Sequence, residues 1–405
     1  MKSLFKTLST FSSAPHRMMF FVGVVQTLLV MLWWGATLGG RFGWWPPLPE
    51  GVSSHEGHLV LMLYGLFTPF FFGFLFTAGP RWMNVDPPAA RVYIPMALGW
   101  VAFAILTYAG LLAGKLWLVL ALLTWLASML TGTVWFVRQT RASPAANKLH
   151  PYSASAGLVG GCVSAILTLA WLATGKALCQ TLAIQFGVWG YLIPVFLTVA
   201  HRMVPFFTMS VIPSITPWRP DWMLKSWLGL SLLHGALQLL GDSGWRLLAD
   251  APMLGLALYT SYRWQGWRSL GTPILAMLHI GFLWLGIGFA LFSVQDIGHF
   301  AGVSLLGLAP FHAITIGLMC SLLLAMVTRV TLGHSGNKLV ANRSTWVIFW
   351  VFQGCVLSRM LAEILPGNYA AWLGLSVSLW LLCFGLWASQ YATIYWRPRA
   401  DGAAG

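Results

Sequence analysis

Between His58 and Arg81 the chain reads LVLMLYGLFTPFFFGFLFTAGP, residues 59–80, 22 residues without a charge. A bilayer core takes about 20 apolar helical residues to cross, so this stretch is long enough to span and too long for a buried strand. Phe67, Phe70, Phe71, Phe72, Phe74 and Phe76 fall all round such a helix rather than along one stripe. That predicts burial among other helices or beside a flat apolar ligand; core packing alone accounts for it equally. Thr68, Pro69, Gly73 and Thr77 make the helix irregular, because a proline within a span leaves a carbonyl for a neighbour or ligand to satisfy.

The rest of the chain repeats the pattern. Its 405 residues are 58% hydrophobic and 8% charged, whereas a soluble domain carries about 25% charged residues. Apolar runs broken by short loops predict twelve spans at 17–38, 58–78, 91–109, 115–138, 154–174, 180–201, 222–241, 248–263, 270–293, 300–328, 344–364 and 369–395. The expected fold is an all-α, polytopic membrane helical bundle. It forms a single domain over 1–405, with cytoplasmic tails at 1–16 and 396–405 around a bundle at 17–395. Alternating ten-residue barrel strands are absent, no strong internal repeat points to inverted halves, and connections such as 39–57 and 329–343 are caps or lids rather than modules.

The net charge of +14 does not indicate nucleic acid, because the basic residues punctuate apolar spans instead of forming a solvated stripe. Lys and Arg accumulate in short cytoplasmic loops. With the N-terminus inside, only Arg41, Lys115, Lys176, Arg246 and Arg359 of the 23 fall on the far side. The bias holds loop by loop, which favours an even number of spans and places both termini in the cytoplasm. The first span is long and Trp-rich and lacks a small-residue cleavage signal, so it reads as a mature helix.

The reactive residues are few. Five cysteines stand singly without a C-x-x-C pair, which excludes a zinc ribbon, covalent c-type haem and a thioredoxin-like site. Of nine acidic residues only Glu363 is read as lying within a span, four residues after Arg359. Ion-coupled machines place a carboxylate deep in the bilayer, so this reading argues against an ion-coupled transporter.

Histidine is what the apolar helices retain. A lone His there is often bonded to a backbone carbonyl and nothing more. Several together, with few carboxylate or sulfur ligands, point to a haem or metal, since neutral imidazole ligates iron and copper without a buried countercharge. Counting inward from the basic anchors places His58 and His312 in the outer half, with His55 and His299 at that rim. His234 and His279 fall near mid-depth, and His150, His201 and His334 at the cytoplasmic edge. Axial ligands approach iron from opposite faces, so His55 and His58, three residues apart, cannot serve one porphyrin but are spaced to chelate copper. His58 with His312 is the preferred outer pair; the alternative for His58 is a solvated rim histidine. The metal candidates are thus His55, His58, His234, His299 and His312.

Three segments resemble the NnrS family of bacterial membrane proteins. His58 through Trp82 is similar to the family's His-led second helix ending in Thr-Ala-x-Pro-x-Trp. His201-Arg202-Met203-Val204-Pro205-Phe206-Phe207-Thr208 resembles its Arg-x-x-Pro-Phe-Phe-Thr turn. Phe311 to Leu339, FHAITIGLMCSLLLAMVTRVTLGHSGNKL, resembles its His-Ala-x-Thr-x-Gly helix followed by Thr-Arg-x-x-Leu-Gly-His-x-Gly. The resemblance implies a multi-pass protein of the bacterial cytoplasmic (inner) membrane that holds haem, of the b-type, and copper, and acts in the response to nitric oxide and nitrosative stress. Many members read His-x-His-Glu-Met where this chain has His58-Leu59-Val60-Leu61-Met62, so roles resting on the second His and the Glu have no counterpart here.

The cofactor-binding candidates are His58, His312, His201, His279, Arg202, Arg329 and His334. His312 is expected to point into the bundle beside Thr315 and Gly317. Thr331 to Gly336 reads as a flexible loop whose amides could cradle a haem propionate, with Arg202 as its bidentate partner. The competing reading makes Arg202 and Arg329 topology anchors.

Three functions compete. The leading one is a haem protein that binds or turns over nitric oxide, or another small diatomic, or passes electrons from a donor such as quinol. The second is a haem-copper-type oxidase or nitric oxide reductase, but the His-His pair and His-x-His of that class are missing here. The third is a haem-free copper or small-solute permease using Met203, Met209, His201 and His334, although the 16 methionines are dispersed.

Overall fold

The computed structural model describes residues 2–241 and 244–402; Asp242 lies outside the described residues. The helices in chain order are α1 (Lys2–Phe11), α2 (Pro15–Arg41), α3 (Ser54–Val60), α4 (Thr68–Met83), α5 (Ala90–Ala113), α6 (Lys115–Ala142), α7 (Leu149–Thr174) and α8 (Ala177–Gln185). They continue as α9 (Ile193–Val211), α10 (Asp221–Gln238), α11 (Leu247–Arg263), α12 (Pro273–Phe300), α13 (Ala309–His312), α14 (Ser321–His334), α15 (Arg343–Ile364) and α16 (Tyr369–Tyr391). Three π-helical stretches, Leu61–Gly65, Phe186–Leu192 and Ala313–Cys320, join α3 to α4, α8 to α9 and α13 to α14. No strand occurs among the described residues.

Joined in this way, the helices make the twelve runs the apolar pattern predicts. Ten are long and apolar enough to cross a membrane; α10 and α11, at 18 and 17 residues, are the short pair. The run from Ser54 to Met83 has 94% of its most apolar window buried, as expected for a helix with phenylalanines on every side. α5 and α16, at 39% and 33%, turn apolar faces outward. Leu98, Ile105 and Leu112 on α5 are exposed, the surface a lipid-facing helix presents.

The chain divides into two compact units: Met1–Val195 with Val330–Asn337 and Trp387–Gly405, and Phe196–Arg329 with Lys338–Leu386. In the first, α2 packs on α4, α5 on α6, and α7 on α6 and the Phe186–Leu192 stretch. A Cβ at Gly160 would collide with the backbone carbonyl of Gly190, so glycine lets α7 approach that stretch backbone to backbone. Trp125 Nε1 donates to the Tyr64 carbonyl at 2.9 Å, where Pro69 brings no N–H to the turn before it. The terminal segments form structure rather than solvated tails. Phe11 stacks on Trp396 at 3.8 Å, and Arg17 Nη1 donates to the Tyr395 and Arg397 carbonyls. Both ends of the chain therefore meet on one side of this unit, as an even number of crossings requires.

In the second unit α12 packs on α11 and on the Ala313–Cys320 stretch, and α10 on α11. A Cβ at Gly317 would lie 2.7 Å from the Trp284 indole, which explains the glycine at that close approach.

Three boundaries differ most from expectation. The sixth run continues to Val211 rather than ending at 201, so Pro205 to Thr208 are helix rather than turn. The other two concern the tenth run. The tenth run begins at Ala309, not 300, because α12 continues to Phe300 and Gly302 and Gly307 turn the chain at positive φ before Pro310 restarts the helix. Thr331 to His334 belong to α14 rather than to a loop. Of the amides that follow, Ser335 N donates to Thr331 O and Asn337 N to Leu332 O, so helix and turn bonds take up donors that the loop reading left open.

Candidate functional site

The second unit gathers four expected cofactor residues along α9. His201 and Arg202 stand on α9 itself, His201 fully buried and Arg202 half-buried. His279 reaches α9 from α12 through Thr208, and Arg329 from α14 through Phe207 and Ser210.

The bonding of each ring fixes its tautomer, because a carbonyl only accepts. His201 Nε2 lies 3.2 Å from the Pro220 carbonyl and must donate, which puts the lone pair on Nδ1. Thr208 spends its hydroxyl proton on Val204 O at 2.8 Å, so His279 Nε2, 2.9 Å from that hydroxyl, is again the donor. The half-buried His312 donates from Nδ1 to Leu308 O at 2.9 Å, leaving Nε2 the basic nitrogen. Such bonds satisfy a buried imidazole, and they are also the outer contacts that orient a ligating one.

Arg329 is 5% exposed, with its guanidinium 4.0 Å over the Phe207 ring and Nη2 3.2 Å from Ser210 Oγ. Its Nε and Nη1 are buried without a hydrogen-bond partner among the described residues. A solvated topology anchor would not be enclosed in this way. Orphaned N–H groups on a buried cation fit an anionic group such as a propionate. His312 and Arg329 are seventeen residues apart on one helical run, about 25 Å along its axis, wider than a porphyrin. They therefore serve different ends of this unit. His279 and His201 are the imidazoles that share α9 with Arg329.

At the other end of the second unit lies a polar cluster that the spacing of the sequence did not disclose. His234 Nδ1 is 2.5 Å from Asp250 Oδ1, and Arg246 holds Asp296 Oδ1 through Nε at 3.0 Å and Nη2 at 2.7 Å while also bonding Gln238 Oε1. Asp250 and Asp296 are both fully buried, and the Oδ2 atom of each has no hydrogen-bond partner among the described residues. His299 Nδ1 stands 4.0 Å from Asp296 Oδ1, so His234 and His299, both expected metal ligands, each border one of these buried carboxyls. The expectation that Glu363 alone lies within a span does not hold: Asp250, already inside the expected 248–263 run, belongs to α11, and Asp296, beyond the expected end at 293, belongs to α12. Arg246 is likewise not a stray far-side charge, nor is Arg359, 2.8 Å from Glu363.

In the first unit His58 lies against Trp34, ring centroids 4.1 Å apart, three residues before the Leu61–Gly65 π stretch. His55 Nε2 is 2.9 Å from Gln180 Nε2, and the side-chain N–H of an amide donates, so this nitrogen accepts. Within the Leu61–Gly65 stretch Tyr64 bonds Ser164 and Thr168 at 2.7 and 2.6 Å, and Tyr191 bonds Thr68 at 2.9 Å, which ties two π stretches to α7 and α4. His334 ends α14 with its ring 4.8 Å from that of His16, a residue sequence reasoning left unused. Outside the spans, Arg399 is paired with Asp401, whose carboxylate pushes the guanidinium pKa up. Among the described residues no three His, Cys, Asp or Glu side chains converge as metal ligands.

No curated protein matches the chain. The family model described as NnrS protein matches residues 10–399, so the three motif segments and all twelve helical runs fall inside one match. The chain is a multi-pass helical membrane protein that belongs to the NnrS family.

Proposed function

We propose that this protein binds haem through neutral histidine in the membrane and uses it to bind or turn over nitric oxide, or to pass electrons in defence against it. Family membership supports a membrane protein of the nitric oxide response. The observation that carries the finer reading is the placing of His58 and His312: each stands within three residues of a π-helical stretch, Leu61–Gly65 and Ala313–Cys320. Such stretches widen a helix at local cost and recur at functional sites. The fixed Nδ1–H of His312 leaves Nε2 as the nitrogen an axial ligand uses.

Haem, when bound, supplies an iron position to which a small uncharged diatomic can come directly through lipid. The chain's own part is to hold imidazoles in one tautomer, exclude water, and receive propionates. Arg329, buried against Phe207 and Ser210 of α9, suits an anionic group but stands about 25 Å along the helical run from His312, beyond the reach of a haem held there. Copper fits less well: with no three-ligand group among the described residues, it would be held by two imidazoles at most, as His55 and His58 are spaced to do. The test is optical. Purified protein shows a Soret band that moves on adding nitric oxide, and His312→Ala or His58→Ala removes it. A colourless, iron-free preparation that is folded and competent refutes the reading.

A second reading, proton-coupled transport, is favoured by the buried cluster in which His234 meets Asp250 and Arg246 meets Asp296, because ion-coupled machines keep carboxyls inside the bundle. Substrate-dependent proton uptake by haem-free proteoliposomes, lost in Asp250→Asn, would establish it in place of the first.

A further inference from the structure

The first turn of α2 holds a positive charge with nothing to balance it. Arg17 is 2% exposed, and among the described residues no carboxylate lies within ion-pair distance of it. Its Nη1 donates to the carbonyls of Tyr395 at 3.1 Å and Arg397 at 2.8 Å, while its Nε is buried without a partner. A desolvated guanidinium bonded only to neutral carbonyls is the configuration that calls for an anion.

Its neighbours supply more donors. His16 is 6% exposed and its Nδ1 is also buried without a partner. The His16 ring lies 4.8 Å from that of the half-buried His334 at an interplanar angle of 43°. α2 starts after Ala14, which offers no side-chain cap to its first amides, so the positive end of a 27-residue helix opens at the same place. Two imidazoles this close would serve as a metal chelate in other surroundings. Here Arg17, Arg81 and Arg399 all bear on His334, and that field repels a cation. One carboxylate borders the group, Asp401, and Arg399 holds it through two bonds at 2.9 and 2.5 Å while its Nη1 donates to the His334 carbonyl at 3.2 Å.

We propose that His16, Arg17 and His334, at the uncapped start of α2, form a binding site for a phosphate-type oxyanion. The anion accepts from Arg17 Nε and from His16 Nδ1, with the His334 ring closing one side. Because Arg17 also grips the chain at Tyr395 and Arg397, a bound anion fastens the C-terminal segment to α2. The ligand is either free phosphate or the phosphate of an anionic phospholipid headgroup. The site makes no use of haem and stands independently of the reading above.

The test uses the full chain, delipidated in neutral detergent, with radiolabelled inorganic phosphate in equilibrium dialysis and native mass spectrometry for retained phosphatidylglycerol. Saturable binding of one phosphate per chain is expected, weakened at least tenfold by Arg17→Gln and by His16→Gln. If Arg17→Gln fails to fold, His334→Gln, at a half-buried ring, gives the same comparison. Retention of one phosphatidylglycerol in place of phosphate, lost in the same variants, supports the site and identifies its source as lipid. Binding of neither by the unaltered chain, or equal binding by chain and variants, overturns the proposal.

Discussion

Replacing Arg246 by methionine should cost this protein more stability than any surface change, and the loss should be recoverable by a second substitution. Asp296 is fully buried and receives both Nε and Nη2 of Arg246, whose side chain is 4% exposed. Removing one partner of a buried pair leaves an uncompensated charge and costs about 3–5 kcal/mol. That is roughly a hundred- to several-thousand-fold fall in the folded ratio, at about 1.4 kcal/mol per tenfold. Arg246→Met with Asp296→Leu removes both charges and fills the space with apolar atoms. Exchanges of that kind are neutral or stabilising by about 1–4 kcal/mol. The assay is a double-mutant cycle on purified protein, unfolded reversibly by titrating denaturing detergent into mild detergent micelles. A single-mutant loss below about 1 kcal/mol, the worth of an exposed pair, or a double mutant no better than the single, would refute the assignment of this pair as buried and coupled.

Four further outcomes are expected. Asp250→Asn should lower stability by about 1–3 kcal/mol by the same detergent titration, because it weakens the buried 2.5 Å contact between His234 Nδ1 and Asp250 Oδ1. Tyr64→Phe should lower stability by about 1–3 kcal/mol, the cost of leaving buried hydroxyls short of a partner, measured by the same detergent titration. Gly160→Leu should cost about 1–3 kcal/mol or more through overpacking against Gly190, whereas Gly229→Ala, where a Cβ meets nothing within 4 Å, should be tolerated. Reporters fused to the two ends should both read cytoplasmic; opposite readings would contradict an even number of crossings.

Much of this architecture is legible in residue order because a bilayer demands long apolar runs. The apolar helices, their order and the side on which the ends meet follow from run length and the placing of Lys and Arg. The π-helical stretches are hidden. Residues 61–65 and 313–320 are apolar on every face, so a widened turn leaves no break in a hydrophobic pattern. The start of the tenth run is misplaced because Gly302, Val303, Leu305 and Leu306 continue the hydropathy while the backbone turns. The individual histidines are visible, but their partners are not. Asp250 meets His234, Asp296 meets Arg246 and His16 meets His334 only through helix packing, and each carboxylate taken alone reads as the lip of a span. Thr208 is part of the Arg-x-x-Pro-Phe-Phe-Thr segment, yet its role as acceptor for His279 needs the proton bookkeeping of Val204 as well.

The most direct trial of the claim that these imidazoles hold iron is haem content per chain, by pyridine haemochrome and iron analysis, in protein purified from cells supplied with haem precursor. The account predicts stoichiometric non-covalent haem in the unaltered chain and its loss in His312→Ala, with the helical circular dichroism preserved. Folded protein lacking iron, or haem retained in full by His58→Ala and His312→Ala alike, would contradict it.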